Sequence, residues 1–334
     1  IDFNNPPAKA QEIISAGDVP LGTQGNLFGI TGGEGTGKSN YVAAIVAGCI
    51  CPAGADIDTL GIQITANGRH KAVLLYDTEQ SEVQLFKNVS NLLARAKQPD
   101  KPDELKAFCL TGMSRKERLN AIVQSMDKFY YQYGGIQLVV IDGIADLVKS
   151  ANDEAESVAV IDELYRLAGI YNTCILCVLH FVPNGLKLRG HLGSELQRKA
   201  ATILSIEKDE EPTQSVVKAL KVRDGSPLDV PLMLFAWDKE AGMHVYKGEK
   251  PREEKEKRKE RELVNVARDI FGRQTRITYI DLCEQLQQVL DIKERTAKSY
   301  IRFMRERDII TKDTANQSCF VIGSYNLQRN ASCP

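Results

Sequence analysis

Gly32-Gly33-Glu34-Gly35-Thr36-Gly37-Lys38-Ser39 has the form G-x-x-x-x-G-K-[ST], the pattern of a loop that closes backbone N–H groups around phosphates. Its surroundings fit that reading. A short apolar strand, Asn26-Leu27-Phe28-Gly29-Ile30, feeds the loop, and a helix-like run from Tyr41 to Ile50 leaves it. The glycines let successive amides turn inward, at a helix N-terminus whose dipole favours anions. Gly33, Glu34, Gly35, Thr36, Gly37, Lys38, Ser39 and Asn40 are therefore the expected nucleotide-binding stretch. Lys38 would reach the β- and γ-phosphates and the Ser39 hydroxyl would sit on Mg²⁺.

Outward from the loop, apolar strand-like runs alternate with amphipathic helices. The strands are Leu27–Thr31, Ala72–Tyr76, Leu105–Leu110, Gln137–Ile141 and Cys174–His180; helices fall near 39–50, 81–97, 115–133 and 155–171. Such alternation predicts an α/β fold with a mostly parallel sheet and helices on both faces. Ligands in such sheets sit beyond the carboxyl ends of the strands. After a polar stretch from Pro183 to Gly193, further strands are expected at 201–207, 214–223, 229–237 and 243–246, as antiparallel additions at the sheet edge.

The run Gln137-Leu138-Val139-Val140-Ile141-Asp142 is a buried strand ending in a carboxylate, the arrangement that holds Mg²⁺ opposite the loop hydroxyl. Hydrolysis also needs a group to orient or deprotonate the attacking water. Many phosphate-loop ATPases place a glutamate directly after this aspartate, but Gly143 stands there. A neighbouring strand instead ends in Asp77-Thr78-Glu79-Gln80, and Glu79 is the candidate base, with Asp77 or Thr78 free to cap the next helix.

These residues resemble RecA-type P-loop ATPases and, more narrowly, the RepA-like and DnaB-like ring helicases of bacterial plasmids and mobile elements. The resemblance runs over about residues 20–250. It implies ATP and Mg²⁺ as cofactors, a homo-oligomeric ring, a hexamer, and single-stranded DNA as partner. It gives His180 the role of γ-phosphate sensor and likens Phe181–Leu196, with Lys187 and Arg189, to a DNA-contacting channel loop. Lys221-Val222-Arg223-Asp224-Gly225 is similar to the segment whose basic pair, here Lys221 and Arg223, reaches the neighbouring subunit's γ-phosphate. The two lie two apart on a strand and share a face. The antiparallel tail, and the lack of an evident recombinase N-terminal domain, favour translocation over strand exchange. Against this stands a nucleotide-switched DNA-binding regulator without motor activity; a small-molecule kinase fits poorly, because the antiparallel strands have no place in it.

Charge divides the chain. Residues 250–334 carry 18 Lys/Arg against 13 Asp/Glu, and the remainder 25 against 31. A basic end on an acidic body points to a polyanion partner. The mixed-charge run 248–262 reads as a solvated helix that Pro251 can begin. The expected organisation is an ATPase domain over 1–249, a helical connector over 250–264, a second domain over 265–325 and a tail over 326–334. In that second domain a helix at Thr278–Leu286, a helix at Lys293–Arg307 and two strands at Ile309–Thr311 and Cys319–Ile322 resemble a winged helix. Ala297, Ile301 and Met304 should pack inward, while Arg295, Lys298, Arg302 and Arg305 form a basic stripe suited to duplex DNA.

With 334 residues the chain has room for two domains. It opens on Ile1 rather than Met and reads as a fragment. No apolar stretch reaches membrane-spanning length and no secretory leader is evident, so no membrane partner is expected. Of eight cysteines, Cys174 and Cys177 form a C-x-x-C inside an apolar run, which implies a buried strand rather than a metal or redox site. Unpaired buried thiols fit a cytoplasmic location.

Overall fold

The computed structural model describes residues 2–180, 190–251, 255–314 and 316–323. These fall into two compact units, Ile1–Lys250 and Pro251–Pro334.

The first unit begins with β1 (Glu12–Ala16) and β2 (Val19–Thr23), followed by β3 (Leu27–Gly32) and α1 (Lys38–Ile50). Then come β4 (Gln63–Ile64), β5 (Ala72–Asp77), α2 (Glu82–Arg95), β6 (Leu105–Cys109), α3 (Arg115–Tyr133) and β7 (Ile136–Asp142). α4 (Glu154–Ile170), β8 (Cys174–His180), α5 (Gly190–Lys199) and β9 (Thr202–Lys208) follow, and β10 (Gln214–Val222), β11 (Leu232–Asp238) and β12 (Met243–Lys250) close the unit. The nine-stranded sheet has the order β12-β11-β10-β9-β3-β8-β7-β5-β6. Its strands from β9 to β6 run parallel, and β10 to β12 add antiparallel. The α/β expectation is borne out.

Near-continuous apolar runs become the central strands because both sheet faces are covered. β3 and β5 are buried along their whole length. One face packs under α1 and α2 through Tyr41, Ile45, Leu85 and Leu92; the other packs under α3, α4 and α5 through Met126, Ile161, Leu164 and Leu196. Cys174 and Cys177 are fully buried in β8, and burial pushes the Cys177 thiol up to about 12.

Three features depart from the sequence reading. β1, β2 and β4 form a small antiparallel sheet, β2-β1-β4, whose short pieces carry too little alternation to stand out. β11 starts at Leu232, because Ser226–Asp229 make a turn in which the Ser226 amide donates to the Asp229 carboxylate at 3.2 Å. β12 continues to Lys250, four residues beyond the expected last strand.

In the second unit α6 (Lys255–Arg273) is followed by β13 (Ile277–Thr278), α7 (Tyr279–Leu290), α8 (Glu294–Glu306), β14 (Ile310–Lys312) and β15 (Cys319–Ile322). The strands form an antiparallel sheet, β13-β15-β14. The Thr278 hydroxyl caps α7, accepting from the Asp281 amide at 3.2 Å. Ala297, Ile301 and Met304 face inward, against a core that includes Leu282, Leu286, Ile309 and Phe320. α6 has no break at 264: Leu263, Val264, Ala267 and Ile270 are buried in the same core. The helix expected as a connector is therefore part of this unit's packing. The expected tail, 326–334, lies outside the described residues. No described helix is long and apolar enough to cross a membrane.

Candidate functional site

The parallel strands β3, β5, β7 and β8 deliver their last residues to one edge. In register, Gly32 lies beside His180, and Asp77 beside Asp142. The phosphate-loop motif leaves β3 there and enters α1 at Lys38, with Gly37 as its N-cap. Among the described residues no side chain caps this helix, and its first turn carries no acid. Its leading N–H groups are thus left for an anion, which fits phosphates. Gly37 is left-handed at φ +92°, and a Cβ there would meet the Phe235 ring at 2.8 Å; only glycine lets the loop sit down on β11. Glu34 is exposed, Gly33 and Asn40 are half-buried, and Thr36 is buried with its hydroxyl donating to the Gly33 carbonyl at 2.9 Å.

Lys38 is 7% exposed. Its ammonium donates to the carbonyls of Gly32 (3.1 Å) and Gly33 (2.7 Å) and approaches His180 Nδ1 at 3.3 Å. Because an ammonium only donates, Nδ1 must accept, so the proton lies on Nε2. That nitrogen faces Glu79 Oε2 at 3.3 Å. Lys38, His180 and Glu79 thus form one chain across β3, β8 and the tip of β5.

The turn after β5 is built to present Glu79. Asp77 Oδ1 accepts from the amides of Glu79 (3.0 Å) and Gln80 (2.8 Å). Thr78 Oγ1 donates to the carbonyls of Asp142 (3.0 Å) and Gly143 (2.8 Å), tying the β5 and β7 ends together. Neither residue caps α2; Ser81 does, its hydroxyl accepting from the Gln84 amide at 3.4 Å. Gly143, at φ +101°, explains the missing glutamate after Asp142. A Cβ there would lie 2.3 Å from Thr78 Oγ1 and 2.7 Å from Glu79 Cγ. The Glu79 side chain occupies the space over Gly143. The anchoring parts of Asp77 and Thr78 were not read from the sequence. Two polar residues at the end of an otherwise apolar strand were the available signal.

Charge is poorly compensated here. Burial, and then Asp77 and Glu79, push Asp142 up to about 7 against the pull of Lys38 and His180. Burial also raises Asp77. Burial lowers Lys38, which Asp142, Glu79 and Glu34 oppose. A divalent cation would relieve that excess of carboxylate. No group of three or more His, Cys, Asp or Glu side chains among the described residues is arranged to hold a metal alone. If Mg²⁺ binds, Asp142 and Ser39 are the residues that would hold it, with phosphate and water oxygens as the further donors such an ion takes.

Lys221 and Arg223 do share a face, and both meet the C-terminus of α5. Lys221 donates to the carbonyls of Gln197 (2.6 Å) and Arg198 (3.1 Å), and Arg223 to that of Lys199 (2.9 Å). Cations there satisfy the helix's last carbonyls and its dipole. They are not brought to the Lys38–His180–Glu79 group of their own chain. Lys187 and Arg189 lie outside the described residues.

In the second unit Arg295, Lys298, Arg302 and Arg305 are all exposed on α8. The stripe carries less free charge than its sequence suggests. Lys298 pairs with Glu294 at 2.7 Å and Arg302 with Glu306 at 2.8 Å, each one turn away. Arg305 lies 5.9 Å from the Phe320 ring centre.

A family model described as an AAA domain matches residues 1–184. A comparison with curated proteins finds no match.

Proposed function

Since the chain belongs to the AAA-domain family of P-loop ATPases, we propose that it is a Mg²⁺-dependent DNA helicase or translocase that works as a homo-oligomeric ring, a hexamer, in replication or mobilisation of a plasmid or mobile element. Nucleotide binding and ATP hydrolysis follow from the family; ring, DNA and Mg²⁺ are this proposal's own. The C-terminal unit is read as a winged helix that meets duplex DNA through Arg295, Lys298, Arg302 and Arg305.

One observation supports the reading: His180 touches Lys38 and Glu79, and Lys221 and Arg223 hold the end of α5, so both groups proposed to read the nucleotide are in contact with elements that flank 181–189 in sequence. Residues 181–199 begin directly after His180, whose ring touches Lys38 and Glu79. They end at the α5 carbonyls held by Lys221 and Arg223. Lys187 and Arg189 lie between those ends in sequence. When a triphosphate draws the Lys38 ammonium from the Gly32 and Gly33 carbonyls, His180 loses one of its two contacts. When Lys221 and Arg223 reach for a neighbour's phosphate, α5 loses its caps. Each event removes a contact made by His180 or by the end of α5. Glu79 would accept the proton of the attacking water, and the trans pair would offset the charge of the transition state. The bound Mg²⁺ supplies charge neutralisation of the phosphates.

The test is ATP turnover against protein concentration, with and without single-stranded DNA, at fixed salt. A steep rise with concentration, DNA stimulation, and a drop of about 10³-fold in Arg223→Ala are expected. Slow, DNA-indifferent turnover at every concentration would replace the motor with a nucleotide-switched regulator.

A further inference from the structure

Trp237, the one tryptophan of the chain, is 55% exposed at the penultimate position of β11. Two antiparallel steps separate β11 from β9, which runs parallel to β3. β11 therefore also points its carboxyl end toward the phosphate-loop edge. An aromatic row starts at the loop itself. Phe235 underlies Gly37 and lies 5.8 Å from the Tyr41 ring and 5.7 Å from the His244 ring. His244 stands directly opposite Trp237 across the β11–β12 ladder, edge-on to the indole at 5.5 Å and 78°. Two residues of strand place Trp237 about 7 Å beyond Phe235, further along the row that begins under the phosphate cradle.

The row is braced from behind. Arg95, 6% exposed at the end of α2, donates to the His244 carbonyl at 2.6 Å and to the Asp58 carbonyl at 2.8 Å. The Asp58 carboxylate accepts from the Tyr246 amide at 2.7 Å. His244 Nδ1 is buried and has no hydrogen-bond partner among the described residues, so the ring acts there as a packing surface. Burial, Arg95 and Lys208 lower its pKa and keep it neutral at neutral pH.

We propose that Trp237, seated by His244, is the platform on which the base of the bound nucleoside triphosphate stacks. The inference rests on triphosphate binding at residues 32–39 and names the part of the ligand that the loop does not read. Recognition would be by π-face. The adjacent carboxylate, Asp238, is already engaged by the amides of Glu240 and Ala241 and by Lys247, so it offers little edge recognition. Stacking is tolerant because every base has such a face. Adenine and guanine nucleotides should therefore bind within about tenfold of each other.

The single indole makes the test direct. Its emission is followed while the full chain is titrated with Mg²⁺ plus ATP, GTP or inorganic tripolyphosphate. ATP and GTP should quench saturably; tripolyphosphate should compete with ATP yet leave the emission unchanged. Trp237→Ala should weaken ATP about 5- to 100-fold, the range of one lost stack, without changing tripolyphosphate affinity, and Trp237→Phe should recover most of the loss. Unchanged ATP affinity in Trp237→Ala, or equal losses for ATP and tripolyphosphate, would overturn the platform. Failure of the wild-type chain to bind either ligand would overturn the loop reading and the platform with it.

Discussion

The two units treat charge in opposite ways. At the phosphate-loop edge, Asp77, Glu79 and Asp142 crowd around one buried lysine, and Asp142 is pushed to about 7. On α8, by contrast, Lys298 and Arg302 each find a glutamate one turn away, in water. The first arrangement costs folding energy, which a bound divalent cation would relieve. The second is worth little to stability in either direction. Unrelieved charge marks where ligands act; locally answered charge marks a surface that must give up its own partners before it can bind.

The sharpest way to break the contrast is Glu79→Gln. It keeps the side chain's shape over Gly143 but removes the proton acceptor. Turnover should fall by about 10²- to 10⁴-fold while nucleotide remains bound, measured by steady-state hydrolysis beside equilibrium binding. Undiminished turnover would move the base elsewhere.

Asp142→Asn should show the next largest effect, on the ligand-free protein's melting curve. The folded pKa of Asp142 lies above its ordinary 3.8, so the unfolded chain sheds this proton first as pH rises. The wild type therefore loses stability between about pH 4 and 7, and the asparagine variant escapes that loss. The variant's advantage should be near zero at pH 4 and on the order of a few kcal/mol at pH 8. Parallel stability curves across that window would remove the electrostatic account.

The smallest effect belongs to the double variant Glu294→Gln, Glu306→Gln. Stability should change by less than about 1 kcal/mol. Duplex affinity should rise severalfold with a steeper salt dependence, because two cations are released to phosphates. An unchanged salt slope would take α8 off the DNA.

Much of the fold was legible because most of the parallel strands, β5, β7 and β8 above all, are apolar runs long enough to be seen without neighbours. The same holds for the loop, where glycine spacing states its own geometry. Glu79 could be nominated because Gly143 left a vacancy, but why glycine is needed there depended on the turn at Thr78, 65 residues away in sequence. The contacts of Lys221 and Arg223 with α5 were not legible; spacing gave their shared face but not what lay opposite. Nor was the Arg95 brace, since a buried arginine bridging two loops has no local pattern. Glu294 and Glu306 were visible, yet a stripe read by its basic residues alone overlooks the acids that flank it.

The seating of Gly37 on Phe235 has a consequence for where the protein can be cut. The phosphate loop is keyed to a strand some 200 residues downstream, and Tyr41 on α1 packs its hydroxyl against Met233 of the same strand at 3.8 Å. The matched family segment ends at residue 184, before either partner has been made. That segment is a shared heritage without being a self-sufficient module. Its loop has no Phe235 beneath it until β11 has been made.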